Sequence, residues 1–132
     1  MAAFTLQIVT PDRLVYSGEA EKLIVRTLTG DVCILAHHID YAAPLVPGQA
    51  VVVTAEGSRS AACAGGMLSV SDNHVRLMAT TFEWADEIDL ERAQRAHDAA
   101  AEKLKSMAAD DQNYAIVEAK LKRALARIQA KG

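Results

Sequence analysis

The stretch FEWADEIDLERA, residues 82–93, separates two halves of the chain that differ in composition. All three prolines precede it, and so do all glycines from Gly18 to Gly66, whereas the one remaining glycine is the terminal Gly132. Glycine and proline shape turns and end helices, and the second half is instead rich in alanine and charged residues. We therefore predict an α+β chain with a β-domain at residues 1–84 and a helical domain at residues 85–132.

The first half has the alternation and turn spacing of a small all-β domain. Phe4–Ile8 alternates apolar and polar residues, and the proline-containing stretch Thr10–Arg13 predicts a turn. Gln49–Thr54 predicts a valine-rich strand, and we expect Gly65-Gly66 to interrupt the next ladder as a bulge or a close backbone contact. Short strands with turn signals every 8–12 residues or so predict a β-sandwich or barrel.

One irregular stretch, residues 36–41, leads to two prolines and contains His37, His38 and Asp40. Adjacent residues of an extended chain point in opposite directions, so two neighbouring histidines rarely share a metal ion. The sequence has no second cluster of ligands, and we predict no metal site. A loop histidine that makes a local hydrogen bond or contacts a partner fits the pattern better.

The second half predicts two helices joined by a polar turn at residues 110–113. Asp89 can cap the first helix, whose apolar and small residues recur at positions 90, 93, 97, 100, 104 and 107. The second helix has an apolar stripe at Tyr114, Val117, Leu121, Leu125 and Ile128. The two helices should form an antiparallel hairpin. Because its faces are rich in alanine, they bury little area, and the hairpin could be a mobile switch or an inert cap.

A row of basic residues follows the second helix at spacings of three and four: Lys120, Arg123, Arg127 and Lys131. We call this row the basic ridge. An ordinary solvated helix face has the same pattern, and exposed ion pairs contribute only about 0–1 kcal/mol each. A ridge of one sign also suits an acidic partner surface. Composition alone favours the solvated face.

Charge and hydropathy exclude several classes of protein. The chain has 14 basic and 17 acidic residues, so it lacks the basic excess that nonspecific nucleic-acid binding requires. No apolar run approaches the roughly 20 residues of a membrane span, so we expect no direct membrane insertion, and there is no secretory signal. Cys33 and Cys63 lie in apolar runs and are expected to be buried, free thiols of a reducing compartment.

The sequence contains no motif of a catalytic site. There is no nucleophile elbow, no phosphate-binding glycine loop and no paired-carboxylate motif. Gly65-Gly66 is followed neither by a lysine nor by the start of a helix. A small hydrolase on a β-scaffold is therefore disfavoured, and we predict no catalytic residues and a protein that is not an enzyme.

Four segments, in order along the chain, carry a resemblance to a known family. They are LQIVTPDR (6–13), GDVCIL (30–35) with His38 and LVPG (45–48), AGGMLSV (64–70) and IDLERA (88–93). Together they resemble the epsilon subunit of bacterial and chloroplast F-type ATP synthases, the equivalent of the mitochondrial delta subunit. The match covers essentially the whole chain.

The resemblance implies a non-catalytic subunit of the central stalk, which turns with the rotor and couples the catalytic head to the ion-driven c ring. It implies that the β-sandwich binds the gamma subunit and that a loop with Asp31 and His38 contacts the c ring. The helical domain would be regulatory: extended into the alpha/beta catalytic head, it would inhibit ATP hydrolysis, with Lys120, Arg123 and Arg127 as contacts. The complex would lie at the cytoplasmic face of the bacterial plasma membrane, with this subunit peripheral.

The resemblance further implies a regulatory ATP molecule between the folded helices and no required cofactor. The matching residues are Glu83, Ile88, Asp89, Arg92, Ala93, Arg123 and Arg127, with Lys122 beside Arg123. The chain departs from the family pattern at Cys33–His38, which lacks the usual proline and two glycines. The alternative is a free-standing β-sandwich that binds a ligand or protein, with a capping or dimerising helical tail.

Overall fold

A computed structural model describes residues 2–131 as a β-domain followed by two helices. The strands are β1 (Phe4–Val9), β2 (Leu14–Ala20), β3 (Lys22–Thr27), β4 (Gly30–Leu35), β5 (Tyr41–Thr54), β6 (Gly57–Ser71), β7 (His74–Ala79) and β8 (Phe82–Trp84). A single 3-10 turn at Ala85–Glu87 leads to α1 (Leu90–Lys105) and α2 (Tyr114–Lys131). The predicted α+β class is confirmed.

The strands fold over one buried core. Seven of them form the path β2-β1-β7-β6-β5-β3-β4, and β8 pairs with β6. At about 4.8 Å per strand, β1 and β4 would lie about 24 Å apart in a flat sheet. Phe4 of β1 and Ile34 of β4 nevertheless belong to the same core, and β2 contacts β5. The sheet therefore closes on itself as a sandwich, with β1 antiparallel to β2 and parallel to β7.

The long strand β5 begins earlier than the sequence predicts. The sequence predicts a strand at Gln49–Thr54, but pairing with β6 starts at Tyr41 and continues through Pro44 and Pro47. Proline cannot donate to a ladder and is tolerated where one edge of a strand lacks a partner. On the β3 side, β5 pairs only through Leu45 and residues 51–53, so both prolines lie beside unpaired stretches.

Gly65-Gly66 does not end β6, but the ladder changes at these glycines as predicted: the pairing with β5 skips Gly65, and on the other edge β8 pairs up to Cys63 and β7 from Gly66. The strand runs without a gap from Gly57 to Ser71, and both glycines have positive φ, 99° for Gly65 and 132° for Gly66. The expected close backbone contact is present, because a Cβ at Gly66 would collide with the carbonyl oxygen of Met78 and lie 2.8 Å from the Cα of Ala79. Glycine here allows these positive φ values and lets β7 approach.

The two cysteines differ in environment, and the prediction that both are buried is wrong for Cys33. Strand residues alternate between faces, and Ile34 occupies the core, so Cys33 points outward and is exposed. Cys63 is buried, and burial raises the pKa of its thiol to about 11. Both thiols are free.

The helices begin close to the predicted positions. The Asp89 side chain accepts a hydrogen bond from the Arg92 amide at 3.1 Å, as expected for an N-cap. On α1, Ala93 and Ala100 of the predicted stripe are buried. On α2 only Val117 of the predicted stripe is buried, and Leu125 is exposed. Alanines 124, 126 and 130 are buried instead, because α2 packs against two surfaces, α1 and the sandwich.

The contact at Gly66 can be tested with a matched pair of glycine substitutions. Gly57 also has a positive φ, 127°, but a Cβ at this position would have no atom within 4 Å. We expect Gly57→Ala to lose about 1–2 kcal/mol from backbone strain alone. Gly66→Ala adds a backbone clash, and it should lose more than about 4 kcal/mol or fail to fold cooperatively. Urea unfolding followed by Trp84 fluorescence measures both, and equal losses would contradict the argument.

Candidate functional site

The helical hairpin is held on the sandwich by α2. This helix contacts β5 and β6 as well as α1. Its Ala126 and Ala130 form a small buried cluster with Ile88 and with Ala62 of β6. Alanine methyl groups allow close approach but remove little apolar area from water, about 0.8 kcal/mol for each group. The apolar contact between the two domains is therefore small.

Polar contacts to α2 reinforce this cluster. Arg127 Nε donates to Glu83 Oε1 at 2.5 Å, and both side chains are about one-third exposed. Lys131 Nζ donates to the carbonyl oxygen of Ala85 at 3.1 Å. Arg127 and Lys131 of the basic ridge thus contact residues 83 and 85, whereas Lys120 is exposed and Arg123 is half-buried. The ridge is not one uniformly solvated face.

Residues 83–87, here called the linker, are also held by the sandwich. The Trp84 amide donates to Glu87 Oε1 at 3.0 Å. The Arg59 guanidinium lies 3.8 Å from the centre of the Trp84 ring, a cation–π contact. Arg13 Nη2 lies 3.8 Å from Glu87 Oε1. The linker is consequently ordered by contacts from both domains.

A cleft of about 530 Å³ opens beside the linker, between the sandwich and the hairpin. It is lined by Thr10, Asp12, Arg13, Thr80, Thr81, Phe82, Glu83, Glu87, Asp89, Arg92, Ala93, Ala96 and Arg127. The structure thus brings together five of the seven residues predicted to bind nucleotide. Of the other two, Ile88 is buried in the α2 cluster, and Arg123 is absent from the lining.

The sandwich supplies part of the cleft that sequence reasoning missed. Thr10, Asp12 and Arg13 belong to the β1–β2 turn, and Thr80 and Thr81 to the β7–β8 connection. The sequence marks residues 10–13 as a turn, but no pattern in it indicates that this turn lies beside the helices. Only the pairing of β1 with β7 and of β8 with β6 places these segments together.

Most of the carboxylates in the cleft already have partners. Four carboxylates and three guanidinium groups line it. Glu83 pairs with Arg127, Glu87 accepts from the Trp84 amide, and Asp89 caps α1. Within residues 2–131 the guanidinium of Arg92 makes no ion pair, so it is available to an anion in the cleft.

Asp31 and His38 are not brought together. Asp31 lies near the start of β4, where its Oδ1 accepts from Arg26 Nε at 3.0 Å. His38 follows the other end of β4, with Nδ1 2.7 Å from the Ile39 carbonyl oxygen and its ring edge-on to Tyr41. At about 3.4 Å per residue, β4 alone spans about 14 Å from Asp31 to Leu35, so the two residues lie towards opposite ends of this strand.

An exposed apolar row crosses the outer face of five strands. Its members are paired directly from strand to strand: Leu14, Val9, Met78, Met67 and Pro44. We call these residues the apolar row. Leu14 is 56 % exposed, Met78 44 % and Met67 41 %. Cross-strand partners share one face, so the row extends for about 19 Å, and the neighbouring row of Gln7, Arg76 and Ser69 is polar.

Metal clusters and membrane spans are both absent from the part of the chain that the structure describes. Among residues 2–131 no group of three or more histidine, cysteine or carboxylate side chains could hold a metal ion. Over the same residues neither helix has the length and apolar character needed to cross a membrane.

Comparison with known proteins gives matches in sequence and in fold. Residues 3–85 match the beta-sandwich domain, and residues 86–132 the long alpha-helix domain, of the ATP synthase delta/epsilon chain. The ATP synthase epsilon chain of Ruminococcus albus is 38 % identical over 129 residues, which are 97 % of this chain and 96 % of that relative. The sodium ion specific epsilon chain of Propionigenium modestum is 33 % identical over 129 residues, which are 98 % of this chain and 93 % of that relative.

A solved structure supports the fold. A chain of the Euglena gracilis mitochondrial ATP synthase, in a structure of OSCP, F1 and c-ring, superimposes with a TM-score of 0.85 at 23 % identity. The superposition covers 98 % of this chain and 81 % of that chain. Both domains therefore match in sequence, in order and in fold, and the chain belongs to the ATP synthase delta/epsilon chain family.

Proposed function

We propose that this chain is the central-stalk subunit of an F-type ATP synthase, which turns with the rotor and couples the catalytic head to the c ring. The observation that carries the proposal is the match of both domains over residues 3–132 to the delta/epsilon chain. The structural neighbours come from an F1/c-ring assembly and, for Tetrahymena thermophila, from a central stalk/c-ring assembly. We place the subunit peripherally at the cytoplasmic face of the bacterial plasma membrane.

We propose that the gamma subunit docks on the apolar row. An exposed apolar stripe with polar neighbours has the arrangement of an interface core and its rim. The row belongs to the strands of the sandwich itself, so a partner bound there would turn with the sandwich whatever position the helices take. Methionine side chains also adapt to the shape of a partner.

Charge substitutions on one strand test this interface. Met78 and His74 are both exposed residues of β7 on the same face, but only Met78 belongs to the apolar row. We expect Met78→Glu to weaken gamma binding by at least about 2 kcal/mol, because it buries an unpaired charge. His74→Glu should change the affinity by less than about 0.5 kcal/mol. Titration calorimetry with purified gamma measures both, and equal affinities would place the interface elsewhere.

For the c ring we propose a contact at the β3–β4 turn, residues 28–29, next to which Asp31 lies in β4. This turn is exposed, with Leu28 at its tip 79 % accessible to solvent. His38 lies at the other end of β4, where its Nδ1 is 2.7 Å from the Ile39 carbonyl oxygen and its ring packs in a T-shaped arrangement with Tyr41. Of the two residues that the family resemblance indicated, we assign Asp31 to the polar loops of the ring because it lies beside this exposed turn, although its Oδ1 also accepts from Arg26.

We propose that the hairpin is a regulatory element that leaves the sandwich and extends into the alpha/beta head, where it inhibits ATP hydrolysis. The small alanine cluster and the two polar contacts of α2 make release energetically accessible. In the extended form Lys120, Arg123 and Arg127 would face acidic loops of the catalytic subunits. Arg127 must first leave Glu83, so the two states compete for the same guanidinium.

Truncation tests the inhibitory role. A chain that ends at Glu87 keeps all eight strands and the linker and lacks both α-helices. Added to a catalytic head with gamma but without this subunit, the full chain should lower the rate of ATP hydrolysis, and the truncated chain should not. A gamma-binding assay on the truncated chain is the control for docking. Equal hydrolysis rates with both bound chains would refute inhibition by the tail.

The contact between Arg127 and Glu83 gives a second test, on the position of the hairpin. Arg127→Ala removes a partly buried ion pair between the domains, and we expect about 1 kcal/mol less docking energy, a roughly fivefold shift towards release. Lys122 is the control, because within residues 2–131 its ion pair is with Glu118 on the same helix. Hydrogen exchange of the α2 amides should accelerate in Arg127→Ala and stay unchanged in Lys122→Ala. Faster exchange in both would point to a loss of helix stability.

We further propose that the cleft beside the linker binds ATP and that the bound nucleotide favours the docked hairpin. Arg92 and Arg127 would bind the phosphates. The other proposed residues are Glu83, Asp89 and Ala93, which also line the cleft, the buried Ile88, which would support it, and Arg123, one turn before Arg127 on α2. The volume of about 530 Å³ is within the range of small-molecule sites. A ligand that binds only the docked form shifts the equilibrium towards it by mass action.

A further inference from the structure

We propose that Arg13, a residue of the sandwich, binds the phosphates of the regulatory nucleotide. The inference rests on the proposed ATP site and adds to it a cation from the β1–β2 turn of the sandwich. The cleft has three guanidinium groups, and each comes from a different element: Arg13 from the β1–β2 turn, Arg92 from α1 and Arg127 from α2. A polyphosphate offers several anionic oxygens along one chain, the chemistry that suits three cations lining one cleft.

The three cations differ in how strongly they are already engaged. Arg127 is held by Glu83 at 2.5 Å. Arg13 Nη2 lies 3.8 Å from Glu87 Oε1, which is beyond hydrogen-bond distance, and that oxygen already accepts from the Trp84 amide at 3.0 Å. Arg13 would therefore lose only a weak ion pair with Glu87 on binding a phosphate. Its side chain is half exposed and lines the cleft.

The backbone at Arg13 is fixed, so the side chain starts from a defined position. The Thr10 amide donates to the Arg13 carbonyl oxygen at 2.9 Å. The Arg13 amide donates to Thr10 Oγ1 at 3.3 Å. These bonds close the turn between β1 and β2. An arginine on a closed turn can form directed bonds to phosphate oxygens at a lower entropy cost than one on a loose loop.

Participation of Arg13 gives the nucleotide a direct cationic link between the helices and the sandwich. A ligand held by Arg92 and Arg127 alone would strengthen the pairing of α1 with α2. A ligand that also binds Arg13 links both helices to the sandwich, so ATP acts on the docking of the hairpin and not only on its closure. Release of the hairpin would then require loss of the nucleotide.

The test compares two arginines of the sandwich. Arg13 and Arg59 both approach a carboxylate of the linker, Glu87 at 3.8 Å and Asp86 at 3.9 Å, but only Arg13 lines the cleft. We expect Arg13→Ala to raise the Kd for ATP by about three- to tenfold in the full-length chain, and Arg59→Ala by less than about twofold. Arg13→Lys should recover part of the affinity, because it keeps the charge and loses the fork of donors.

A second readout locates the contact. In a 15N spectrum, the Nε–H resonance of Arg13 should shift on addition of ATP, and that of Arg59 should not. If Arg13→Ala and Arg59→Ala have the same Kd as each other, the inference is wrong while the ATP site stands. If the unsubstituted chain shows no heat and no spectral change at millimolar ATP, both the ATP site and the inference are wrong.

Discussion

The pairing of the two long strands β5 and β6 determines where strands β3, β7 and β8 and helix α2 lie. Each pairs with the other along nearly its whole length, from Tyr41 opposite Val70 to Thr54 opposite Gly57. Their two halves take different neighbours: β7 joins β6 at Gly66–Ser71, and β8 joins it at Ala61–Cys63. The same pair therefore builds the core, brings β7 close to the backbone at Gly66 and presents Ala62 to α2.

The interface between the domains combines a small apolar contact with a few partly exposed polar ones. Alanine methyls and one isoleucine exclude water from a small area, and the ion pair and the lysine contact lie at its border. Such an interface gives a defined docked geometry without a large docking energy. Because the charged groups of this interface are partly exposed, salt weakens it. A change of about 1.4 kcal/mol in docking free energy changes the ratio of docked to released hairpin tenfold. A hairpin that alternates between a docked and a released position needs a docking free energy small enough for both to be populated.

Much of the fold follows from local sequence signals, and the exceptions have identifiable physical causes. Period-two alternation, turn residues and the N-cap at Asp89 are properties of short segments, and they determine the class, the order of elements and the start of α1. Pro44 and Pro47 in a strand, the outward Cys33 and the alanines of α2 depend on neighbours far away in sequence. The candidate cleft divides in the same way. Its helical side follows from the family resemblance, whereas the β1–β2 turn at Arg13 enters only through strand pairing.

The parallel pairing of β1 with β7 also bears on how the chain is made. Of these strands β1 leaves the ribosome first, but its partner His74–Ala79 is synthesised only after the whole β5–β6 hairpin. That hairpin turns within Thr54–Gly57 and can form from neighbouring residues alone, so it is the natural first structure. Phe4, Leu6 and Ile8 meanwhile remain without their core partners. During synthesis, the N-terminal strand is thus the segment most in need of protection from aggregation, and closure of the sandwich is a late, long-range step.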